Sequence, residues 1–174
     1  MMRVAILDTV HPVIQTRLIE NGFECEEHLL LSREEIQQGQ LKDIQGIVLR
    51  SRIRIDDQIL DAMPQLKWIA RSGSGLENID VQAAKSRDIH VYNSPEGNSD
   101  AVGEHVLGML LMIMHKLRSC DKSVHEKVWE REKHRGMELG NKTVGIIGYG
   151  VMGKAFATKL RGIGCTIIAY DKYT

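Results

Sequence analysis

The chain has 174 residues, of which 43% are hydrophobic and 26% are charged, and its 23 basic residues balance its 23 acidic ones. This apolar content is enough for one large domain or two small ones, and the neutral balance argues against a nucleic-acid binder, which needs a clustered positive field. Three scattered cysteines without a C-x-x-C pair predict reduced thiols and a cytoplasmic protein.

The first 97 residues alternate between short apolar runs and helical patterns. Predicted strands lie at 4–7, 23–28, 46–49, 66–70 and 89–92, and predicted helices at 12–21, 56–63 and 79–85, with a further helix that begins at Ser32. Ser32 and Glu35 have the spacing of a capping box, which marks a helix start. Strands that alternate with helices indicate a parallel sheet covered on both faces, so we predict a flavodoxin-like domain at 1–97.

Two polar turns follow predicted strands of this domain. Arg50 and Ser51 come after one strand, and the sequence R-S-G-S-G at 71–75 comes after the next. Because ligands of such sheets bind beyond the carboxyl ends of the strands, both turns are candidate binding loops.

The segment at about 99–136 is predicted to be helical. Its apolar residues recur at helical spacing and its three methionines widen the apolar face, so we expect a heavily buried helix capped by Ser99 or Asp100. The longest apolar run, 106–114, is interrupted by Gly108 and is too short to span a membrane. Residues 120–135 are polar and predict a second, exposed helix or arm.

A glycine-rich turn follows a predicted buried strand at 143–147. Gly148, Gly150 and Gly153 form G-x-G-x-x-G before a predicted helix, and Asp171 closes the next strand. Gly148 permits the tight turn, Gly150 lets a pyrophosphate approach the backbone, and Gly153 lets the helix pack closely on the strand.

The start of that helix, with Val151 and Met152, offers free N–H groups to the phosphates. Asp171 lies where a carboxylate accepts hydrogen bonds from ribose hydroxyls, and its charge would repel a 2′-phosphate. The turn therefore predicts the first unit of a Rossmann domain that binds NAD, with a purely structural glycine turn as the alternative.

Four stretches carry a resemblance to a known family. They are L-R-S at 49–51, R-S-G-S-G-L-E-N-I-D at 71–80, N-S-P-E-G-N-S-D-A-V-G-E-H at 93–105, and E-L-G-N-K-T-V-G-I-I-G-Y-G-V-M-G at 138–153. They resemble the D-2-hydroxyacid dehydrogenases, and the phosphoglycerate dehydrogenase branch looks nearest. The resemblance implies a substrate domain at 1–97, an incomplete NAD-binding domain at 98–174, and a homodimer formed through the helical arm at 99–136.

The resemblance also implies roles for single residues. The substrate, a 2-hydroxyacid or 2-oxoacid, would contact Arg50, Ser51, Arg71, Ser72, Gly73, Ser74 and Asn98, and the cofactor would contact Ser74, Ser99, Gly148, Gly150, Val151, Met152, Gly153 and Asp171. Gly73 and Ser74 would present backbone N–H groups to the substrate carboxylate or border the nicotinamide. Arg50 and Arg71 would suit a phosphate, with two ordinary surface arginines as the alternative.

The catalytic Arg, Glu and His of the family lie in later stretches that the sequence does not contain, so no catalytic residue and no metal site is predicted. We expect a truncated and inactive piece of an enzyme that oxidises D-3-phosphoglycerate to 3-phosphohydroxypyruvate in serine biosynthesis. A glyoxylate/hydroxypyruvate reductase and a non-catalytic, NAD-sensing scaffold of the corepressor type are the alternatives. No nucleic-acid or membrane partner is expected.

Overall fold

A computed structural model describes residues 1–173 and divides the chain into two compact units. The first unit runs from Met1 to Ser94, and the second begins at Pro95. The sequence predicted a boundary between 97 and 98, which falls inside the first turn of a helix. In the structure the division lies just before that helix, which begins at Glu96.

The first unit is a five-stranded parallel sheet with connecting helices. Its elements are β1 (Met2–Ile6), α1 (Val13–Glu20), β2 (Phe23–Glu27), α2 (Arg33–Gln37), β3 (Gly46–Leu49), α3 (Asp57–Asp61), β4 (Trp68–Arg71), α4 (Val81–Lys85) and β5 (His90–Asn93). The strand order is β2-β1-β3-β4-β5, and every neighbouring pair is parallel. The predicted α/β class is confirmed, and the Ser32–Glu35 capping box is formed.

The core of this unit lies on both faces of the sheet. Ala5, Ile47 and Ile69 belong to one large buried cluster, whereas Val4 and Val48 belong to a second cluster against which Ile14 and Leu18 of α1 pack. Central strands that are buried on both faces need apolar residues at every position, which explains the unbroken run G-I-V-L in β3. The carboxyl ends of the strands are thereby fixed on a rigid frame.

The second unit is a βαβ arrangement with two further helices. Its elements are α5 (Glu96–Met114), α6 (Leu117–His125), β6 (Thr143–Ile147), α7 (Val151–Leu160), a short 3-10 helix (Arg161–Ile163) and β7 (Thr166–Tyr170). β6 and β7 form a parallel pair. The helix α5 packs closely on α7, since a Cβ added at Gly103 would lie 3.0 Å from the carbonyl carbon of Ala155.

Three sequence expectations for this unit are wrong. The helix α5 begins at Glu96, so neither Ser99 nor Asp100 caps it: Ser99 donates a hydrogen bond to the Glu96 carbonyl at 3.0 Å, and Asp100 forms an ion pair with Lys159. Only Gly103 of α5 is buried, and Met109 and Met112 are about half exposed. In β6 only Ile146 is buried.

The reason is the same for the helix and the strand. Among residues 1–173, the β6–β7 pair and α5 pack around α7, and the other side of each has no covering layer. An apolar pattern in the sequence predicts which face of a segment can be buried, but it does not predict whether another element packs on that face. None of the helices in these residues combines the length and the apolar character needed to cross a bilayer.

Candidate functional site

The two polar turns of the first unit lie side by side. β3 and β4 are paired with Leu49 opposite Arg71, and the Ser72 N–H donates to the Leu49 carbonyl at 2.8 Å. The structure therefore brings Arg50 and Ser51 next to Arg71 and Ser72 at one end of the sheet. This is the carboxyl edge, where parallel sheets bind ligands.

The two arginines of R-S-R at 50–52 are used in different ways. The Arg50 side chain is exposed and forms no hydrogen bond or ion pair with any residue of the described range. The Arg52 guanidinium donates to the carbonyls of Leu31, at 2.7 Å, and Leu7, and its Nε lies 3.4 Å from a carboxylate oxygen of Asp8. Arg52 thus links the ends of strands, whereas Arg50 keeps its hydrogen-bonding groups available.

The Arg71 side chain lies over Gly73, two residues later in the chain. A Cβ added at Gly73 would overlap Nη1 of Arg71, so a larger residue at 73 would displace the guanidinium. The Arg71 Nε is buried and has no hydrogen-bond partner within residues 1–173. An unpaired buried N–H on a cation is costly, and a bound anion would satisfy it.

The Gly73 amide is occupied in this structure. Its N–H donates to the Arg71 carbonyl at 2.9 Å, and its carbonyl accepts from the Ser94 N–H at 2.9 Å. In this conformation the Gly73 N–H closes a tight turn, and the expected role of Gly73 at the substrate carboxylate or beside the nicotinamide stays a prediction. The Asn93 side-chain amide also holds this loop by donating to the Ser74 carbonyl at 2.6 Å.

Two further residues that the sequence did not single out fix the other loop. The Asp8 carboxylate accepts the Arg50 N–H at 2.6 Å, and the Asn78 amide donates to the carbonyls of Arg50 and Ile53, both at 3.0 Å. These contacts join segments 42 and 28 residues apart in the chain. Asn78 lies inside the stretch at 71–80 that carries the family resemblance, and this was the only feature of the sequence that pointed to it.

In the second unit, the glycine turn connects β6 to α7. Gly148 has φ +90°, a conformation that favours glycine, and a Cβ at Gly153 would overlap the Gly148 carbonyl oxygen. Nothing lies within 4 Å of the Cβ position of Gly150. α7 starts at Val151 without a side-chain cap, so its first N–H groups and partial positive charge border open space. The turn has the shape that a pyrophosphate requires.

Asp171 lies beside this turn at the end of β7. One carboxylate oxygen accepts the Tyr149 N–H at 2.6 Å, and the other accepts the Tyr173 N–H at 2.8 Å. The N–H groups of Tyr173 and Tyr149 hold the pKa of Asp171 below its usual value, so the group is ionised at neutral pH. Because a carboxylate oxygen can accept more than one hydrogen bond, ribose hydroxyls can still be bound. The residues fit a dinucleotide.

The remaining predicted residues are placed separately. Asn98 and Ser99 lie in the first turns of α5 in the second unit, whereas Ser74 belongs to the first unit. Their shared roles at substrate and cofactor therefore stay predictions. Within residues 1–173, no group of three His, Cys, Asp or Glu side chains is arranged to hold a metal ion.

Comparison with known proteins identifies the origin of these features. The profile of a family described as "D-isomer specific 2-hydroxyacid dehydrogenase, catalytic domain" matches residues 4–172. The D-3-phosphoglycerate dehydrogenase of Archaeoglobus fulgidus is 35% identical over 99% of this chain, and that of Homo sapiens is 33% identical over 97%. The chain spans 32% of the length of each.

Solved structures agree with this relationship. A protein from Pyrococcus horikoshii OT3 has a TM-score of 0.84 and 27% identity, covering 100% of this chain and 54% of its own. The NAD+-bound 3-phosphoglycerate dehydrogenase of Entamoeba histolytica has a TM-score of 0.74 and 28% identity, covering 99% of this chain and 55% of its own. The described residues thus correspond to about half of these solved chains.

Proposed function

The chain belongs to the D-isomer specific 2-hydroxyacid dehydrogenase family, and from this premise we propose that it is part of an NAD-dependent enzyme that oxidises a D-2-hydroxyacid. The observation that carries the proposal is the glycine turn before α7 together with the Asp171 carboxylate at its side. The first unit adds two arginine-bearing loops at the carboxyl edge of its sheet.

When bound, NAD would supply the acceptor for the hydride at C2 of the hydroxyacid, and the hydroxyl proton would pass to a base as the 2-oxoacid forms. The residues of this chain bind and orient. The start of α7 would hold the pyrophosphate, Asp171 would accept hydrogen bonds from the ribose, and the loops at Arg50–Ser51 and 71–74 would hold the acid. As the resemblance implies, we propose that Asn98 contacts the substrate and that Ser99 contacts the cofactor.

The base does not come from these binding residues. The Arg, Glu and His that the resemblance implies lie in stretches without a counterpart in residues 1–174. We therefore propose that this chain by itself has negligible dehydrogenase activity, since both carbonyl polarisation and acid–base catalysis are lost without those groups.

The proposed substrate is D-3-phosphoglycerate, whose oxidation begins serine biosynthesis. The available Arg50 guanidinium and the unpaired Arg71 Nε support a phosphorylated acid, because guanidinium groups match phosphate oxygens. The relatives named above act on the same acid by name. The ionised Asp171 favours NAD over NADP, since a 2′-phosphate would be repelled.

We also propose that the helical arm forms a homodimer. Trp129 is 82% exposed and Val124 is 58% exposed, and both line a cavity of about 210 Å³ beside α6. Large exposed apolar side chains in one place mark a surface that another protein covers. Light scattering after size-exclusion chromatography tests this, and a monomer at micromolar concentration would reject it.

The substrate assignment is tested by Arg50→Ala and Arg71→Ala in the full-length enzyme. We expect the KM for phosphoglycerate to rise at least tenfold, with a much smaller change for unphosphorylated hydroxyacids, because only the former loses an ion pair. Equal changes for both substrates would contradict a phosphate site, and an oxoacid panel with NADH would then identify an unphosphorylated substrate such as glyoxylate or hydroxypyruvate. Calorimetric titration of NADH into Asp171→Ala tests the cofactor site separately.

A further inference from the structure

The loop that carries Arg50 is held through its backbone from two sides. The peptide group before the Arg50 Cα donates its N–H to Asp8 at 2.6 Å, and the peptide group after it offers its carbonyl to the Asn78 amide at 3.0 Å. The φ and ψ angles of Arg50 are therefore constrained on both sides. Its own side chain takes no part in this, since it has no partner in the described residues.

Asn78 is itself firmly anchored. Its carbonyl accepts the Ile55 N–H at 2.8 Å, and Ile55 forms a bridge with Ile79. Both isoleucines belong to the large buried cluster of the first unit. The Asn78 side chain therefore extends from a backbone segment that is anchored to the core.

The chemistry of Asn78 suits two acceptors at once. Its amide nitrogen carries two N–H donors, one for the Arg50 carbonyl and one for the Ile53 carbonyl. Its Oδ1 is buried and has no hydrogen-bond partner within residues 1–173. The hydrogen bonds that this side chain makes in the described range are thus directed entirely at the Arg50 loop.

We infer that Asn78 is a positioning residue, which sets where the Arg50 guanidinium meets the phosphate of the substrate. This inference rests on the proposed role of Arg50 in substrate binding. Arg50 has a long side chain, and its reach is decided by the orientation of its backbone, which Asn78 and Asp8 fix from opposite sides. Pre-orientation of this kind lowers the cost of binding an anion.

The test uses Asn78→Asp in the full-length dehydrogenase. Aspartate has the same shape but no N–H donors, and its charge would face two carbonyl oxygens, so the loop should move. We expect the KM for the phosphorylated hydroxyacid to rise about tenfold, while kcat and the KM values for NAD and an unphosphorylated hydroxyacid change less than about twofold. Equal changes for both hydroxyacids would overturn the inference.

A matched control lies at the other end of the sheet. The Asn21 amide donates to the Arg17 carbonyl at 2.8 Å at the end of α1, just before β2 begins. Asn21→Asp makes the same chemical change and removes a similar hydrogen bond, but no candidate site lies there. Both KM values should stay at the wild-type level in this variant, and a tenfold rise would overturn the inference.

A double-mutant cycle separates positioning from other roles. In the Arg50→Ala background, Asn78→Asp should add little to the KM for the phosphorylated acid, because the group that it positions is gone. Fully additive effects would overturn the inference. If Arg50→Ala alone leaves the preference for the phosphorylated acid intact, the proposed substrate fails instead, and the two failures are distinguishable.

A second variant guards against loss of folding. Asn78→Ser keeps a neutral donor but reaches fewer acceptors, so its KM for the phosphorylated acid should lie between those of wild type and Asn78→Asp. Thermal melting monitored by circular dichroism gives the folded fraction of each variant. If both variants are unfolded at assay temperature, Asn78 is a folding residue and the inference is wrong.

Discussion

The two units carry their candidate sites on frames of very different strength. In the first unit, a sheet buried on both faces supports the loops whose arginine side chains we propose to bind the substrate, and side chains such as Asn78 and Arg52 hold those loops. In the second unit, two strands and a small core support the turn whose backbone we propose to bind the cofactor. A site made of flexible side chains needs further hydrogen bonds that fix its loops. A site made of backbone N–H groups needs glycines and the start of a helix instead.

The largest expected difference between the units is in how much a strand side chain contributes to the free energy of unfolding. Ile69 in β4 is fully buried, and Ile168 in β7 is 58% exposed. Ile69→Ala should lower the free energy of unfolding by about 3 kcal/mol, because it leaves a cavity in a packed core. Ile168→Ala should cost less than about 0.5 kcal/mol. Urea denaturation of this chain measures both, and equal costs would show that β6 and β7 are as well packed as the first sheet.

A second prediction separates shape from ligand binding within the glycine turn. Gly153→Ala should cost about 2 kcal/mol of unfolding free energy, since the new methyl group overlaps the Gly148 carbonyl oxygen. Gly150→Ala meets open space and should leave stability unchanged, yet it should weaken NADH binding to the full-length enzyme about tenfold. Thermal melting and calorimetry distinguish the two effects. Unchanged NADH affinity in Gly150→Ala would reject a pyrophosphate at this turn.

A third prediction compares the two arginines of one loop. Arg52→Ala should cost about 1.5 kcal/mol, because the Leu7 and Leu31 carbonyls lose a charged donor. Arg50→Ala should leave stability within about 0.5 kcal/mol of wild type, since its side chain has no partner in the described residues. Denaturant unfolding measures both values. A larger loss for Arg50 than for Arg52 would reverse their assigned roles.

These pairs also show which features a sequence can reveal. β3 and β6 occupy the predicted residues, and the capping box at Ser32 formed as expected. Each of those signals is local, because it depends on neighbours within a few residues. The α/β class followed from the order of such local segments.

The contacts that hold the candidate binding loops of the first unit are not local. R-S-R at 50–52 does not reveal which arginine is free, since the acceptors of Arg52 lie 21 and 45 residues away in the chain. The two acceptors of the Asn78 amide lie 28 and 25 residues away. The exposure of Met109 depends on whether a covering layer exists, and periodicity carries no information on that. Long-range hydrogen bonds and burial had to be read from the structure.

The smallest expected effect is the pH dependence of the hydrogen bonds that Asp171 accepts. It tests whether the Asp171 side chain holds the glycine turn in place, as the Asn78 side chain holds the Arg50 loop of the first unit. The pKa of Asp171 is lowered by the N–H groups of Tyr173 and Tyr149, so its stabilising contribution is present at neutral pH and is lost as the pH falls through the lowered value. The amide resonance of Tyr149 should therefore titrate with a midpoint below about 3.9, the ordinary value for aspartate.

Asp171→Asn is the matched control for this titration. It keeps the shape of the side chain and cannot ionise, so the Tyr149 amide should lose that midpoint. A midpoint at or above the ordinary value in the wild-type chain would mean that the carboxylate does not hold the turn. The glycine turn would then depend on backbone geometry alone, and the contrast with the braced loops of the first unit would be complete.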